Sequence, residues 1–288
     1  MKKLFVFDTI VDIRFKKNLK AEKEITNLLY NLDDLCSIYK STSDISKLNR
    51  ANSYIQVNPL VFDILTKSIY YSKLTNGYMD ITCKSLIDAL KNNQTPDLSL
   101  VNYENILFKN NEFVKLAKPG MSLDLGSIVK GYATDEIVKI LKKYNIRNAL
   151  INLGGNVYVM GHHYLKKWRV GIMDPSSPNN IVGYVSLSNK SVVTSGIYER
   201  GNHIVNPHTG KVVDNNLTSV SIIASKSLDA EGLSTAYYII GLLGLKEIKK
   251  FKDMDCIYID KSKNIYLSEN IKRKFILTNQ DYKIKEYK

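Results

Sequence analysis

The sequence predicts an α+β fold, and three observations predict it. Short apolar stretches from Asn148 to Thr194 follow one another as strands, with no helix between each pair. Long helical periodicities stand elsewhere, chiefly over residues 18–36 and 59–75. Strands that run together with helices interspersed do not make the regular β-α alternation of a doubly wound sheet. No low-complexity linker or short-period repeat divides the chain, so residues 1–288 read as one domain.

Residues 4–15 read as a strand, with Asp8 and Thr9 interrupting its apolar pattern. Residues 18–36 read as a helix, because Ile25, Leu28, Leu29, Leu32 and Leu35 fall on one face. Ser43-Asp-Ile-Ser46 caps a short helix that ends near Asn49. Pro59–Thr75 is a second long helix, stopped by Asn76-Gly77. A short helix follows over 84–91, then a polar stretch over 92–120 with strands at Ile106–Phe108 and Phe113–Leu116. Met121–Leu125 reads as a strand, and an amphipathic helix runs from Thr134 to Tyr144. Strands are expected at 148–153, 157–160, 168–173, 183–187, 191–194 and 219–224. Helices at Glu231–Gly241 and Lys246–Lys250 precede closing strands at 257–260, 265–267 and 275–277.

Composition narrows the function. The net charge is +13, from 41 Lys and Arg against 28 Asp and Glu, which favours acidic partners. The lysines are scattered, however, with no long basic run and no RNA-binding aromatic signature, so nucleic acid is not the expected partner. Cys36, Cys83 and Cys256 make no metal pattern and read as buried free thiols. The apolar run after Met1 stops at Asp8, too short for a signal h-region, and no stretch is long enough to span a membrane. The expectation is a cytoplasmic protein as the sequence stands, or an extracytoplasmic, membrane-associated one if an export segment was removed.

Four motifs carry chemistry. Asp124-Leu-Gly-Ser-Ile-Val-Lys-Gly-Tyr-Ala133 joins a carboxylate, two glycines, a hydroxyl and a lysine ahead of a helix. Glycines admit close backbone approach, and a helix start with a lysine favours an anion. It is neither a Walker A loop nor a dinucleotide fingerprint; taken alone it is a tight strand-to-helix turn. Ile151-Asn-Leu-Gly-Gly-Asn156 ends an apolar strand in a glycine pair, Gly154 and Gly155, exposing backbone and side-chain amides. Thr194-Ser-Gly and His203-Ile-Val-Asn-Pro-His-Thr-Gly210 gather hydroxyls and two histidines in loops, where an imidazole can act as a base. Ser195 has no nucleophile elbow, which argues against a hydrolase triad. In Asp229-Ala-Glu-Gly-Leu-Ser-Thr235, Glu231 and Thr235 share a helix face, an oxygen pair suited to Mg²⁺. The alternative is a helix start whose acids offset the dipole.

Taken with Asp8-Thr9, with Tyr39 ahead of Ser43-Asp-Ile-Ser-Lys-Leu-Asn49, and with Asn76-Gly-Tyr-Met-Asp-Ile-Thr82, these motifs stand in the order seen in one family. The chain resembles the FAD:protein FMN transferases of the ApbE type over nearly its whole length. The resemblance implies an ApbE-like α+β fold of mixed, largely antiparallel sheets with flanking helices and an FAD site between the two halves. It implies cleavage of the FAD diphosphate and transfer of FMN to a threonine of an acceptor protein, with release of AMP. The acceptor would carry an FMN-binding domain, in some cases as a subunit of a membrane electron-transfer complex. An FAD diphosphatase and a non-catalytic FAD-binding protein are the alternatives.

Carried over by motif, Phe7, Tyr39, Tyr78, Met79, Asp80, Asp124, Lys130, Gly154, Gly155, Ser195 and Ile204 would meet FAD. The Ser127 carbonyl, Glu231 and Thr235 would hold Mg²⁺, with Asp229 in reserve. His203 would be the base for the attacking hydroxyl. Glu231 and Asn206 stand where the family often has Asp, and Met79 where it often has Phe.

Overall fold

The computed structural model describes residues 3–197 and 204–287. The chain opens with a hairpin, β1 (Leu4–Val6) and β2 (Thr9–Phe15), followed by α1 (Leu19–Cys36), α2 (Asp44–Arg50), β3 (Ile55–Gln56), α3 (Pro59–Leu74) and α4 (Lys84–Lys91). Then come β4 (Ile106–Lys109), β5 (Phe113–Leu116), α5 (Val129–Lys143), β6 (Ala149–Leu153), β7 (Asn156–Met160), β8 (Trp168–Asp174), β9 (Ser177–Leu187) and β10 (Lys190–Gly196). The last part holds β11 (Leu217–Ala224), α6 (Ser227–Ile240), α7 (Gly244–Glu247), β12 (Asp255–Asp260), β13 (Asn264–Leu267), β14 (Phe275–Leu277) and β15 (Lys283–Lys285).

Nine strands form one sheet in the order β1-β2-β6-β7-β10-β11-β12-β13-β15, antiparallel except for the last pair. Two three-stranded sheets, β14-β9-β8 and β3-β5-β4, complete the architecture. This is the α+β arrangement of largely antiparallel sheets that the sequence predicts. The middle strands of the large sheet are buried on both faces. Val193, Ile222, Cys256 and Tyr258 point to the helices, while Val192, Ile223, Ile257 and Ile259 point to the small sheet of β8, β9 and β14. Successive side chains of a strand face opposite ways, so burial on both sides explains the continuous apolar runs of β11 and β12.

The helices begin where side chains satisfy their free N–H groups. Asn18 accepts from the Ala21 amide at 3.0 Å, Ser43 from Ser46 at 2.9 Å and Asn58 from Leu60 at 3.0 Å. α3 ends where Asn76 and Gly77 turn to positive φ, 50° and 79°.

Several boundaries differ from the expectations. Residues 4–15 are a hairpin, because Phe7 and Asp8 both take left-handed φ and reverse the chain. Met121–Leu125 is extended but holds a single bridge, Ser122 to Cys83, in place of a strand. The helix expected from Thr134 begins at Val129, and that expected from Glu231 begins at Ser227. In the first case the tight turn expected over Asp124–Ala133 is already helical at Gly131. Its function is to let two helices touch: a Cβ there would lie 2.9 Å from Glu231 Cβ and from Leu228 Cα. β15 has no apolar signal, since all three residues are exposed.

Candidate functional site

The helix pair α5 and α6, the ends of β7 and β10, and the β1–β2 turn surround a cavity of about 340 Å³. Gly131 brings α5 onto α6, so Lys130 of the one reaches Glu231 of the other. Glu231 is buried, and its second oxygen accepts from the Asn156 amide of β7. Asn156 is itself held by hydroxyls: Ser227 donates to its carbonyl oxygen at 2.6 Å and Thr134 at 3.3 Å. Lys130 also donates to the Gly126 carbonyl at 2.9 Å. One turn along α6, Thr235 lies 3.2 Å from the Ser195 hydroxyl of β10, which donates to Ser234 at 2.9 Å.

The other walls come from loops. Asp124 accepts from the Gly126 amide at 2.8 Å and so fixes the turn before α5. That helix start has no side-chain cap and opens on the cavity through Gly126, Ser127 and Lys130, the arrangement that suits an anion. Asp80 accepts from the Thr82 amide and hydroxyl, at 2.8 and 2.7 Å, and from the Tyr103 amide at 3.0 Å. Burial outweighs these bonds and pushes its carboxyl up. Cys83 also lines the cavity, but burial pushes its thiol up, so it is no thiolate nucleophile at neutral pH. At the rim stand three aromatic rings: Phe7 in the β1–β2 turn, Tyr78 after α3, and Tyr39, which is 75% exposed.

Of the residues read from the sequence, Phe7, Tyr39, Tyr78, Met79, Asp80, Asp124, Ser127, Lys130, Gly154, Ser195, Ile204, Glu231 and Thr235 line this one cavity. Gly155 does not; it lines a second, adjoining cavity. Met79 is buried, with its amide donating to Thr75, so it packs more than it presents. His203 lies outside the described residues. Asp229 is turned away, because it sits on another face of α6 and accepts from the Tyr71 hydroxyl at 2.5 Å.

Sequence reasoning missed Asn156 as a site residue, although it closes the Gly-Gly motif, and missed Asp33 of α1 altogether. Asp33 accepts from the Phe7 amide at 2.9 Å and lines the cavity. No local pattern distinguishes it from a surface acid.

Among the described residues, five carboxylates, Asp8, Asp33, Asp80, Asp124 and Glu231, line the cavity against two lysines, Lys84 and Lys130. Among the described residues no three His, Cys, Asp or Glu side chains gather as a metal cluster. The donors at hand are one carboxylate, one hydroxyl and one backbone carbonyl: Glu231, Thr235 and Ser127. The Ser127 carbonyl accepts no backbone hydrogen bond among the described residues. Such a set fits a hard cation that takes its remaining oxygens from phosphate and water.

A buried carboxylate with further oxygen donors, an uncapped helix start and a rim of aromatic rings make a site of the kind that suits a small molecule part aromatic and part anionic. The chain belongs to the ApbE family, whose sequence profile matches residues 7–258. Among its relatives, the FAD:protein FMN transferase of Klebsiella pneumoniae (strain 342) is 28% identical over 284 residues, which cover 90% of this chain and 88% of that protein. The FAD:protein FMN transferase of Treponema pallidum (strain Nichols) is 28% identical over 289 residues, covering 87% and 80%. In fold the chain matches the flavin transferase ApbE from Vibrio cholerae, with a TM-score of 0.83 at 20% identity over 95% of this chain and 98% of that one. It also matches the ApbE protein of Thermotoga maritima, with a TM-score of 0.83 at 26% identity over 94% and 97%.

Proposed function

We propose that this protein transfers FMN from FAD to a threonine hydroxyl of an acceptor protein and releases AMP. The observation that carries the reading is the meeting of the family's scattered motifs around one cavity whose donors suit a diphosphate and a flavin ring. The relatives' shared name supports the same activity.

The reaction exchanges one phosphorus–oxygen bond for another. The acceptor oxygen bonds to the FMN phosphorus, the diphosphate bridge breaks, and AMP leaves with the bridging oxygen. Bound Mg²⁺, held by Glu231, Thr235 and the Ser127 carbonyl, would neutralise phosphate charge and act as a Lewis acid. The rings of Phe7, Tyr39 and Tyr78 orient the flavin. Lys130 and the open N–H groups of α5 stabilise the charge that develops on the diphosphate. Asn156 holds the Glu231 carboxylate in place. The hydroxyl proton is assigned to His203 on sequence grounds alone.

The test is the intact mass of a recombinant FMN-binding domain after incubation with this protein, FAD and Mg²⁺. The expected result is a gain of one FMN, lost with EDTA or when the acceptor threonine is replaced by alanine. Release of AMP with no gain on the acceptor would mean a diphosphatase. Absence of both products would overturn the catalytic reading.

A further inference from the structure

The small sheet of β8, β9 and β14 covers the outer face of the large sheet only in part. Its apolar cluster reaches Val159 and Val157 of β7 and Leu150 of β6, and extends no further toward β2 and β1. Beyond that limit the same face continues uncovered. Ile10 of β2 is 59% exposed and Phe5 of β1, its cross-strand partner, 67% exposed. Asp12 and Asn152, paired across β2 and β6, extend that face. Phe5 and Ile10 thus stand side by side as an exposed apolar pair on this face.

A second cavity of about 410 Å³ lies on this face, lined by Ile10, Asp12, Asn152 and Gly155 among others. It shares Lys130 and Gly154 with the first cavity, so the open face adjoins the candidate site.

We propose that this face, Phe5 and Ile10 with the adjoining cavity, is where the acceptor protein docks and from which its hydroxyl enters. The inference rests on the transferase reading. A macromolecular hydroxyl must reach a phosphorus beside Lys130 while the flavin occupies the first cavity. The second cavity opens at Lys130 from outside. The occupant is therefore the hydroxyl-bearing segment of the acceptor, with an apolar contact seated on Phe5 and Ile10.

The experiment measures transfer rate against acceptor concentration for the full chain, with FAD and Mg²⁺ saturating and FAD affinity measured in parallel. Phe5→Asp and Ile10→Asp each raise the acceptor KM by roughly tenfold or more, the loss expected when an interface anchor becomes a charge. FAD affinity and the rate at saturating acceptor stay as in the parent. Tyr164→Asp, at an exposed site on the β7–β8 loop, changes neither. Unchanged acceptor KM in both variants overturns the docking face while leaving the transferase reading intact. A fall in FAD affinity equal to the rise in KM overturns it too, since the face would then serve the flavin. No transfer by the parent chain sinks the transferase reading and this inference with it.

Discussion

Glu231 is where charge, hydrogen bonding and the proposed chemistry converge. It is buried between Lys130 and Asn156, so Glu231→Ala leaves the Asn156 amide without its acceptor and Lys130 with only the Gly126 carbonyl. We expect a loss of about 2–4 kcal/mol in urea denaturation together with loss of turnover. Thr235→Ala separates the two effects: its hydroxyl contacts only Ser195 at 3.2 Å among the described side chains. That variant should lose transfer at least about a hundredfold at a stability cost under about 1 kcal/mol; transfer at the parent rate would remove Thr235 from the site. Asp135 gives a pH-dependent prediction. Its carboxylate accepts the first amides of α6, from Ser227 at 2.8 Å and Leu228 at 3.1 Å, yet burial pushes it up to about 6. An acid with a raised folded-state value binds more protons folded than unfolded between about pH 4 and pH 6. Its contribution to stability therefore falls as pH rises through that window. Urea midpoints should show that slope in the parent chain and a flatter one in Asp135→Asn. At this scale the residues inside motifs were legible, because each type has a recognisable use near an anion. Asp33 was not, since its contact with the Phe7 amide exists only after the chain has folded back by twenty-six residues.

Among elements, the pair α5 and α6 decides whether the site exists. Gly131 is the point of contact, and an added methyl would meet backbone atoms of α6 that cannot give way. Gly131→Ala improves intrinsic helix propensity by roughly 1 kcal/mol, while overpacking costs about 1–3 kcal/mol. We expect a net loss of stability and a larger loss of transfer, because the same shift parts Lys130 from Glu231; a melting temperature at or above the parent's would contradict this. The amphipathic helices were readable from spacing, and so were most strands of the large sheet. The β1–β2 hairpin was hidden because its turn puts Phe7, a residue that carries no turn signal, at φ near 55° beside Asp8. The start of α5 was hidden because a glycine inside a helix looks the same as a glycine ending a loop.

Over the molecule as a whole, the positive surplus of the sequence is not repeated among the described residues that line the cavity, which hold five carboxylates and two lysines. Bare FAD should therefore bind poorly. Added salt screens like-charge repulsion, so in EDTA FAD affinity should rise between about 0.02 M and 0.2 M salt. With Mg²⁺ present that rise should vanish or reverse. Titration by flavin fluorescence reads both cases, and tight, salt-independent binding in EDTA would contradict the need for a cation. The fold class was legible because strands came in runs. The strand order was not, since β6 pairs with β2 from more than a hundred residues earlier, and no local pattern encodes such a pairing.

The two ends of that order have a practical consequence. β1 forms one edge of the large sheet and β15 the other, eight neighbours apart. At the usual strand spacing they are separated by roughly 38 Å before twist. A bulky fusion carried ahead of β1 would stand over Phe5 and Ile10 and crowd an incoming protein. The same fusion placed after β15 would sit at the far side and leave that approach clear. Comparing the two fusions for transfer to the acceptor would show how near the working end of the molecule its first strand lies.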